Sequence, residues 1–470
     1  MGCAMGKSLV IGSILLALCA CAADAPPDED EIRLTLWTQD YWVGVTGHEL
    51  DGVPLDDPRR AQYTVKDWYN KVVRDFKALY PDRKIRIDIE TLDWTSGFQK
   101  IDIAVASGRP PDILISTSGI ALKYARFGLL EAFDDDLSEE DVRDFGPYYG
   151  LSEYEGRHYF LPFIGGNRYM VANLEIFRER DAVHLLPSED DRLWTYEQFL
   201  AAARATTFDR DGDGEVDVYG FAMPFQRNSP QQDQMPFFWG HGARQFNDSG
   251  DSLVINSEMG VKALQFMVDL EHVHAVVPTG SAGLRNNDVT DLWNAGRLAM
   301  RQAHHGTRRS HERALETGVI EEGVIELYPM MYPSLPGIDP GAFVVADSPC
   351  VFRQEDEEIR ELAIALAKFL TNTRHEREAA YALSTLPTRY SALDVWADDP
   401  FQRYVLRVAR YGTKDAIQGY GIPLVNMTLS AFQAAMSLQA TPRKALDDLA
   451  RRGNRFIRRD IERRLRAGAE

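Results

Sequence analysis

Apolar and polar side chains alternate over residues 32–37, the period of a half-buried strand, and Trp68, Tyr69, Val72, Val73, Phe76 and Leu79 then recur at helical spacing. Pro81 stops that helix. A second strand is predicted over 85–89, a helix over 96–107 and a third strand over 113–116. Strand and helix alternating in this way predict βαβ units on a parallel sheet, with a ligand crevice at the carboxyl ends of the strands. Residues 37–42, Asp93 with Trp94, and 116–118 fall at those ends.

Farther along, 159–163 and 169–172 read as extended, and a helix carrying Trp194, Phe199, Ala202 and Ala203 leads into a turn-rich acidic loop. Helices dominate the middle third, including 258–273 and 288–295, before short strands over 298–302 and 342–346. An amphipathic helix over 355–370 follows, and the remainder is mainly helical. No fixed-period repeat and no long low-complexity linker divides the chain. Two lobes would have to share it by crossing back and forth.

With 470 residues, 44% hydrophobic and 26% charged, the chain can build two or more cores, which excludes disordered, collagenous and polytopic membrane proteins. Its 71 acidic residues outnumber 52 Lys and Arg, and a net charge of -19 repels phosphate backbones, so no nucleic-acid partner is expected. Three of the four cysteines lie within the first 21 residues, which rules out a disulfide framework. Lys7 precedes an apolar run over 9–18, too short to span a bilayer but suited to a signal-peptide core. Leu18-Cys19-Ala20-Cys21 resembles a bacterial lipobox, with Cys21 as the lipidated residue and 1–20 as the signal peptide. The acidic, proline-containing stretch up to residue 31 reads as a flexible tether.

Several segments agree in order with the extracellular solute-binding proteins of bacterial ABC importers, in particular the maltose-binding-like carbohydrate group. Ala106-Ser107-Gly108-Arg109-Pro110-Pro111-Asp112-Ile113 resembles the family signature in which a helix ends at glycine and Pro-Asp opens a strand. Phe160-Leu161-Pro162 with Tyr169-Met170-Val171-Ala172-Asn173 is similar to the first crossing between lobes, although Ala172-Asn173 departs from the usual Tyr-Asn. Trp194-Thr195-Tyr196-Glu197-Gln198-Phe199 resembles a family helix start with Thr195 as N-cap. Asn294-Ala295-Gly296-Arg297-Leu298-Ala299-Met300 and Leu386-Pro387-Thr388-Arg389 are similar to later family segments. The resemblance implies an α/β, two-lobed periplasmic-binding-protein-like fold of type II, with discontinuous lobes over 32–161 plus 343–386 and over 162–342 plus 387–470. Hinge crossovers would join them around a ligand cleft. It also implies a monomer that meets permease subunits and a membrane through its lipid.

A sugar site needs aromatic platforms rimmed by hydrogen-bonding groups. Trp37, Gln39, Asp40 and Tyr41 follow the first strand and match that chemistry, with lobe core as the competing role for Trp37. Trp94, Ser116 and Thr117 end the next strands, where they either meet a ligand or cap the helices that follow. Gly166 and Asn167 offer close backbone approach and an amide, but the family's acidic cleft residue is absent there, which argues against a closely maltose-like site. Trp239, His304, His305, Tyr332 and Asn426 are further ligand-binding candidates, the last two in turn-like segments.

Asp209, Asp211, Asp213 and Asp217, with Glu215 between them, occupy positions one, three, five, nine and seven of a calcium-type loop whose twelfth position is Gly220 instead of glutamate. Structural calcium and a metal-free Asx-turn loop are both open for it, and no cofactor is otherwise required. Eight arginines over 451–466 predict a solvated, ion-paired helix face, with membrane headgroups as the alternative partner. The functional expectation is capture of an extracytoplasmic sugar or oligosaccharide for an ABC permease, without chemistry. The competing readings are an exported carbohydrate-active enzyme, which needs two facing carboxylates, and a ligand-loaded sensor on the same fold. Neither a GxSxG nor an HExxH motif occurs.

Overall fold

The computed structural model describes residues 31–40, 65–94, 96–226, 230–413, 415 and 420–467. The expected signal peptide, Cys21, Tyr41 and the expected tether lie outside them, except Glu31, which begins β1. Strand β1 (Glu31–Gln39) pairs in parallel with β2 (Lys84–Leu92) and β3 (Ile113–Thr117), through intervening helices Val65–Lys77 and Gly97–Ala106. Each strand runs one to three residues farther than its alternation predicts, because ladder partners continue past the last apolar position. The first helix ends before Leu79, which is left exposed. Gly108 takes φ +70° beyond the second helix, a backbone that suits glycine. Asp112 then clamps the start of β3 to β1, since its carboxylate accepts the Thr35 N–H (2.6 Å) and hydroxyl (2.8 Å).

The sheet is mixed, not parallel as the alternating elements suggested. β9 (Val344–Val351) runs antiparallel between β3 and β6 (Ile164–Asn173), because it returns from the far part of the chain. Residues 159–163, read as extended, form no ladder, although Leu161 donates its N–H to the Pro349 carbonyl of β9 (3.1 Å); the local ladder is the hairpin of β4 (Glu153–Tyr154) and β5 (Arg157–His158). The ten-residue β6 changes partners along its length. Ile164 to Asn167 pair with β9, and Ile164 and Gly165 also pair with β10 (Leu386–Pro387). Arg168 to Asn173 pair instead with β7 (Met300–His304) and β8 (Leu327–Met330).

Two apolar clusters follow from this exchange. Leu34, Leu36, Trp68, Tyr69, Phe76, Ile113 and Ile115 pack with Phe163, Ile164 and Leu366. Tyr169, Val171, Phe199, Phe221, Phe237, Leu264 and Phe432 belong to the other. Each such buried aliphatic or phenyl side chain contributes about 1.5–3 kcal/mol. Thr195 caps helix Tyr196–Ala205, as its sequence predicts, and the structure adds a capping box with Gln198. Cys350 is buried opposite Leu114 and donates its thiol to the Leu114 carbonyl (3.4 Å), and burial pushes the thiol up to about 12.

The β10 connection is held from inside. Glu376 on helix Thr373–Leu383 accepts the Thr388 N–H and hydroxyl (2.6 Å each) and the Arg389 N–H (2.9 Å). The Arg389 guanidinium lies over the Phe145 ring at 3.9 Å, donates to the Thr371 carbonyl and reaches Asp144 (3.1 Å) and Asp141 (3.3 Å). The terminal helix, Pro442–Ala467, packs by Leu446, Leu449 and Ile457 near helices Glu258–His272 and Ile422–Met436.

Candidate functional site

The carboxyl ends of β1 and β3 meet at Gln39. Its side chain is fully buried, its Nε2 donates to the Ser116 hydroxyl at 3.4 Å, and its Oε1 has no partner. Ser116 and Thr117 face Ser348 and Asp347 across β9, and Asp347 also lies opposite Ile164 of β6. Ser118 ties the same corner together by donating its hydroxyl to the Ala346 carbonyl (2.5 Å) and accepting the Ala346 N–H (3.1 Å). Asp40 is exposed, and its carbonyl accepts the indole N–H of Trp94 at 2.7 Å. Trp94 also meets Phe98 edge-on, so it staples the start of helix Gly97–Ala106. Trp37 is half-buried beneath the Lys100 ammonium, 5.0 Å from its ring centre. The Lys100 ammonium thus covers one face of the indole.

The second group assembles where β6 changes partners. An added Cβ at Gly166 would lie 3.1 Å from Cε1 and Nδ1 of His305, so the missing side chain makes room for the imidazole. Burial, reinforced by the positive charge of Arg168, pushes His305 down to about 3, and its Nδ1 is enclosed without a partner. The ring is therefore neutral at ordinary pH. Asn167 donates Nδ2 to the Val405 carbonyl (2.6 Å) and keeps Oδ1 unpartnered, and Gln402 on helix Pro400–Arg407 donates to the His305 carbonyl (3.4 Å) with a free Oε1. His304 sits opposite Arg168 in the ladder, and its Nδ1 accepts the Gly306 N–H at 3.1 Å. Arg168 donates to Gln232, whose carbonyl receives the Tyr332 hydroxyl at 3.5 Å.

Thus Gln39, Ser116, Thr117, Gly166, Asn167 and His305 gather along one line of crossing strands, while other candidates lie apart. Tyr332 is fully buried against Phe237. Trp239 is only 6% exposed and gives its indole N–H to Asp415 (2.8 Å), which also accepts the N–H groups of Gln245 and Phe246, so it serves the core. Asn426 is exposed within helix Ile422–Met436, not in a turn, because the helical pattern there continues past it. Arg168, Asp347 and Gln402 were missed by sequence reasoning. Only the adjacency of Arg168 to Gly166-Asn167 offered any signal.

In the acidic loop, one carboxylate oxygen from each of Asp209, Asp211 and Asp217 lies within 4.8 Å of the others. Hydrogen bonds from the Gly214 and Gly212 N–H groups hold Asp209 below the usual carboxylate range. Asp213 and Glu215 stay outside that group, with the Asp213 carboxylate accepting the Glu215 N–H (2.8 Å).

The sequence model of a family described as bacterial extracellular solute-binding protein matches residues 61–373, about two thirds of the chain. The chain belongs to this family. A member of the extracellular solute-binding proteins acts outside the cytoplasm. The protein is similar to the maltotriose-binding protein of Pyrococcus abyssi, with 27% identity over 116 residues, 24% of either chain. It is also similar to the diacetylchitobiose binding protein DasA of Streptomyces coelicolor, with 24% identity over 185 residues, 38% of this chain and 39% of that one. The matched stretches thus span well under half of these relatives. Among solved structures, the cyclic alpha-maltosyl-1,6-maltose binding protein of Arthrobacter globiformis superposes with a TM-score of 0.69 at 14% identity, covering 91% of this chain and 99% of that one. As an extracellular solute-binding protein, this chain has the two-lobed type II fold, and β6 joins the ladders of β9 and β10 to those of β7 and β8.

Proposed function

We propose that this protein captures a sugar or oligosaccharide outside the cytoplasm and delivers it to the membrane subunits of an ABC importer, with no chemical step of its own. One observation carries the reading. Gln39 Oε1, Asn167 Oδ1, His305 Nδ1 and Gln402 Oε1 are buried along the strand crossing with unspent hydrogen-bonding capacity. Buried polar atoms are almost always partnered, and neutral amides and a neutral imidazole suit the hydroxyl rim of a carbohydrate better than an ion. The names of the two sequence relatives, maltotriose- and diacetylchitobiose-binding, point to the same class.

On this reading the lobes are 32–161 plus 343–386 and 162–342 plus 387–470, and they rotate about β6, β9 and β10. Contacts made only in the closed form then set the affinity. Cys21 carries a lipid after removal of 1–20, and the acidic tether lets the body move above the membrane. The test is a thermal-shift screen of mono- and oligosaccharides, polyols, polyamines and glycerol phosphates, with product analysis of every hit. A saccharide at ~100 times its dissociation constant raises stability by about 2.7 kcal/mol. His305→Ala weakens that saccharide about tenfold, the worth of one hydrogen bond to a buried neutral group. Turnover of the saccharide, or stabilisation by charged solutes alone, sinks the reading.

The loop around Asp209 is proposed as a calcium site that serves the scaffold, with Asp209, Asp211 and Asp217 as the carboxylate ligands. Calcium then raises the melting temperature of the parent and leaves Asp211→Asn unmoved. An equal response of both proteins removes the assignment.

A further inference from the structure

We infer that the outward face of the terminal helix docks on an anionic lipid surface. The arginine-rich span was expected to be ion-paired with the acidic body, and the structure differs. Arg443 pairs with Glu258, and Lys444 and Arg451 share Asp448, all near the start of the helix. Beyond that point Arg452, Arg455, Arg458, Arg459 and Arg463 are exposed, and none forms an ion pair with a described residue. At 100° per residue these five fall on the side away from Gly453 and Ile457, which are buried. The only acid at the same angle within the run is Glu462.

Five unpaired cations on one helix face are unusual on a chain of net charge -19. Arginine at close spacing repels arginine, so the arrangement costs stability unless an anion lies nearby. Charge complementarity selects the anion. A headgroup layer offers phosphates in a plane along the whole helix, which bind guanidinium in bidentate fashion. The rest of the body is acidic and is pushed away from such a surface, but screening within about 8 Å at physiological salt confines that repulsion. The patch can therefore dock while the remainder of the protein stays clear. The outward face carries no apolar side chain among these positions, so the contact is electrostatic, without insertion into the hydrocarbon. Together with one lipidated cysteine it would fix which side of the molecule faces the membrane. The inference does not depend on which solute is bound.

All strands and both apolar clusters lie between Glu31 and Ala467, so the chain from Asp24 onward contains the whole described fold and lacks the lipid. Its partitioning is measured by sedimentation with vesicles of phosphatidylcholine alone and with about 30% phosphatidylglycerol. Expected is binding to the anionic vesicles only, abolished at about 0.5 M salt. Each single Arg→Gln change weakens it about two- to fivefold. R452Q/R455Q/R458Q/R459Q/R463Q loses it at an unchanged melting temperature, and the corresponding five-lysine variant retains it. Equal binding to neutral vesicles, binding retained by the five-glutamine variant, or no binding overturns the inference. So does binding that appears only after removal of residues 24–30, which would make the acidic tether the occupant.

Discussion

Arg389→Ala is expected to lower the unfolding free energy by about 3 kcal/mol, measured by urea denaturation at neutral pH. The guanidinium is buried, and its removal takes away the Phe145 contact, the bond to Thr371 and two charge-assisted bonds at once. Asp144 then loses the partner that, with Ser391, holds it below the usual carboxylate range against the burial that would raise it. Arg389→Lys keeps the charge but not the planar fork, and recovers less than half of the loss. A cost below about 1 kcal/mol, the range of an exposed ion pair, would mean that the β10 connection is not anchored at Arg389.

The second large effect is a pH dependence at Glu376. Burial raises its carboxyl to about 8, even though the Thr388 hydroxyl and the N–H groups of Arg389 and Thr388 favour the ionised form. The unfolded chain releases this proton near 4.5. Between those values the folded protein holds a proton that the unfolded chain has lost, so the contribution of Glu376 to stability falls as pH rises from 5 to 8. Glutamine is isosteric, and its carbonyl can take both N–H groups while its amide donates to Thr388. Glu376→Gln should therefore gain about 2–4 kcal/mol relative to the parent across that interval, read from melting temperatures at each pH. His305 acts in the opposite sense. Burial and Arg168 lower its pKa from 6.5 to about 3, so its contribution rises with pH up to about 6.5 and then levels off. The parent's decline is thus clearest from about pH 6.5 to 8, and the difference between variant and parent isolates Glu376. A flat difference refutes the assignment.

Much of the first lobe was legible because β1, β2, β3 and their helices form by local periodicity and Gly108 marks a helix end, whereas the Asp112 clamp on Thr35 was not foreseen. The mixed sheet was not legible. β9 lies more than 220 residues from β3 in the chain, and nothing in 344–351 states which strand it will meet or in which direction. The site divides similarly. Gln39 and Ser116 were singled out as strand ends and Asn167 as following the first crossing, whereas Gln402 belongs to a helix that reaches His305 only through the tertiary fold. Trp37, Trp94 and Trp239 could not be divided between site and scaffold from the sequence for one physical reason. A tryptophan suits a sugar platform and a packed, hydrogen-bonded scaffold equally well, and only neighbours such as Lys100, Asp40 and Asp415 decide between them.

The partner exchange along β6 also sets an order of events in time. A ribosome delivers β1, β2 and β3 early, but the edge of β3 that will meet β9 has no mate until residue 351 has been made, and β10 follows after residue 387. The β3 edge therefore stays open while more than 220 further residues, about half of the chain, are made. The strand that completes the β3 edge thus arrives only when about three quarters of the chain has been made, so the long-range pairing of this fold is a late event.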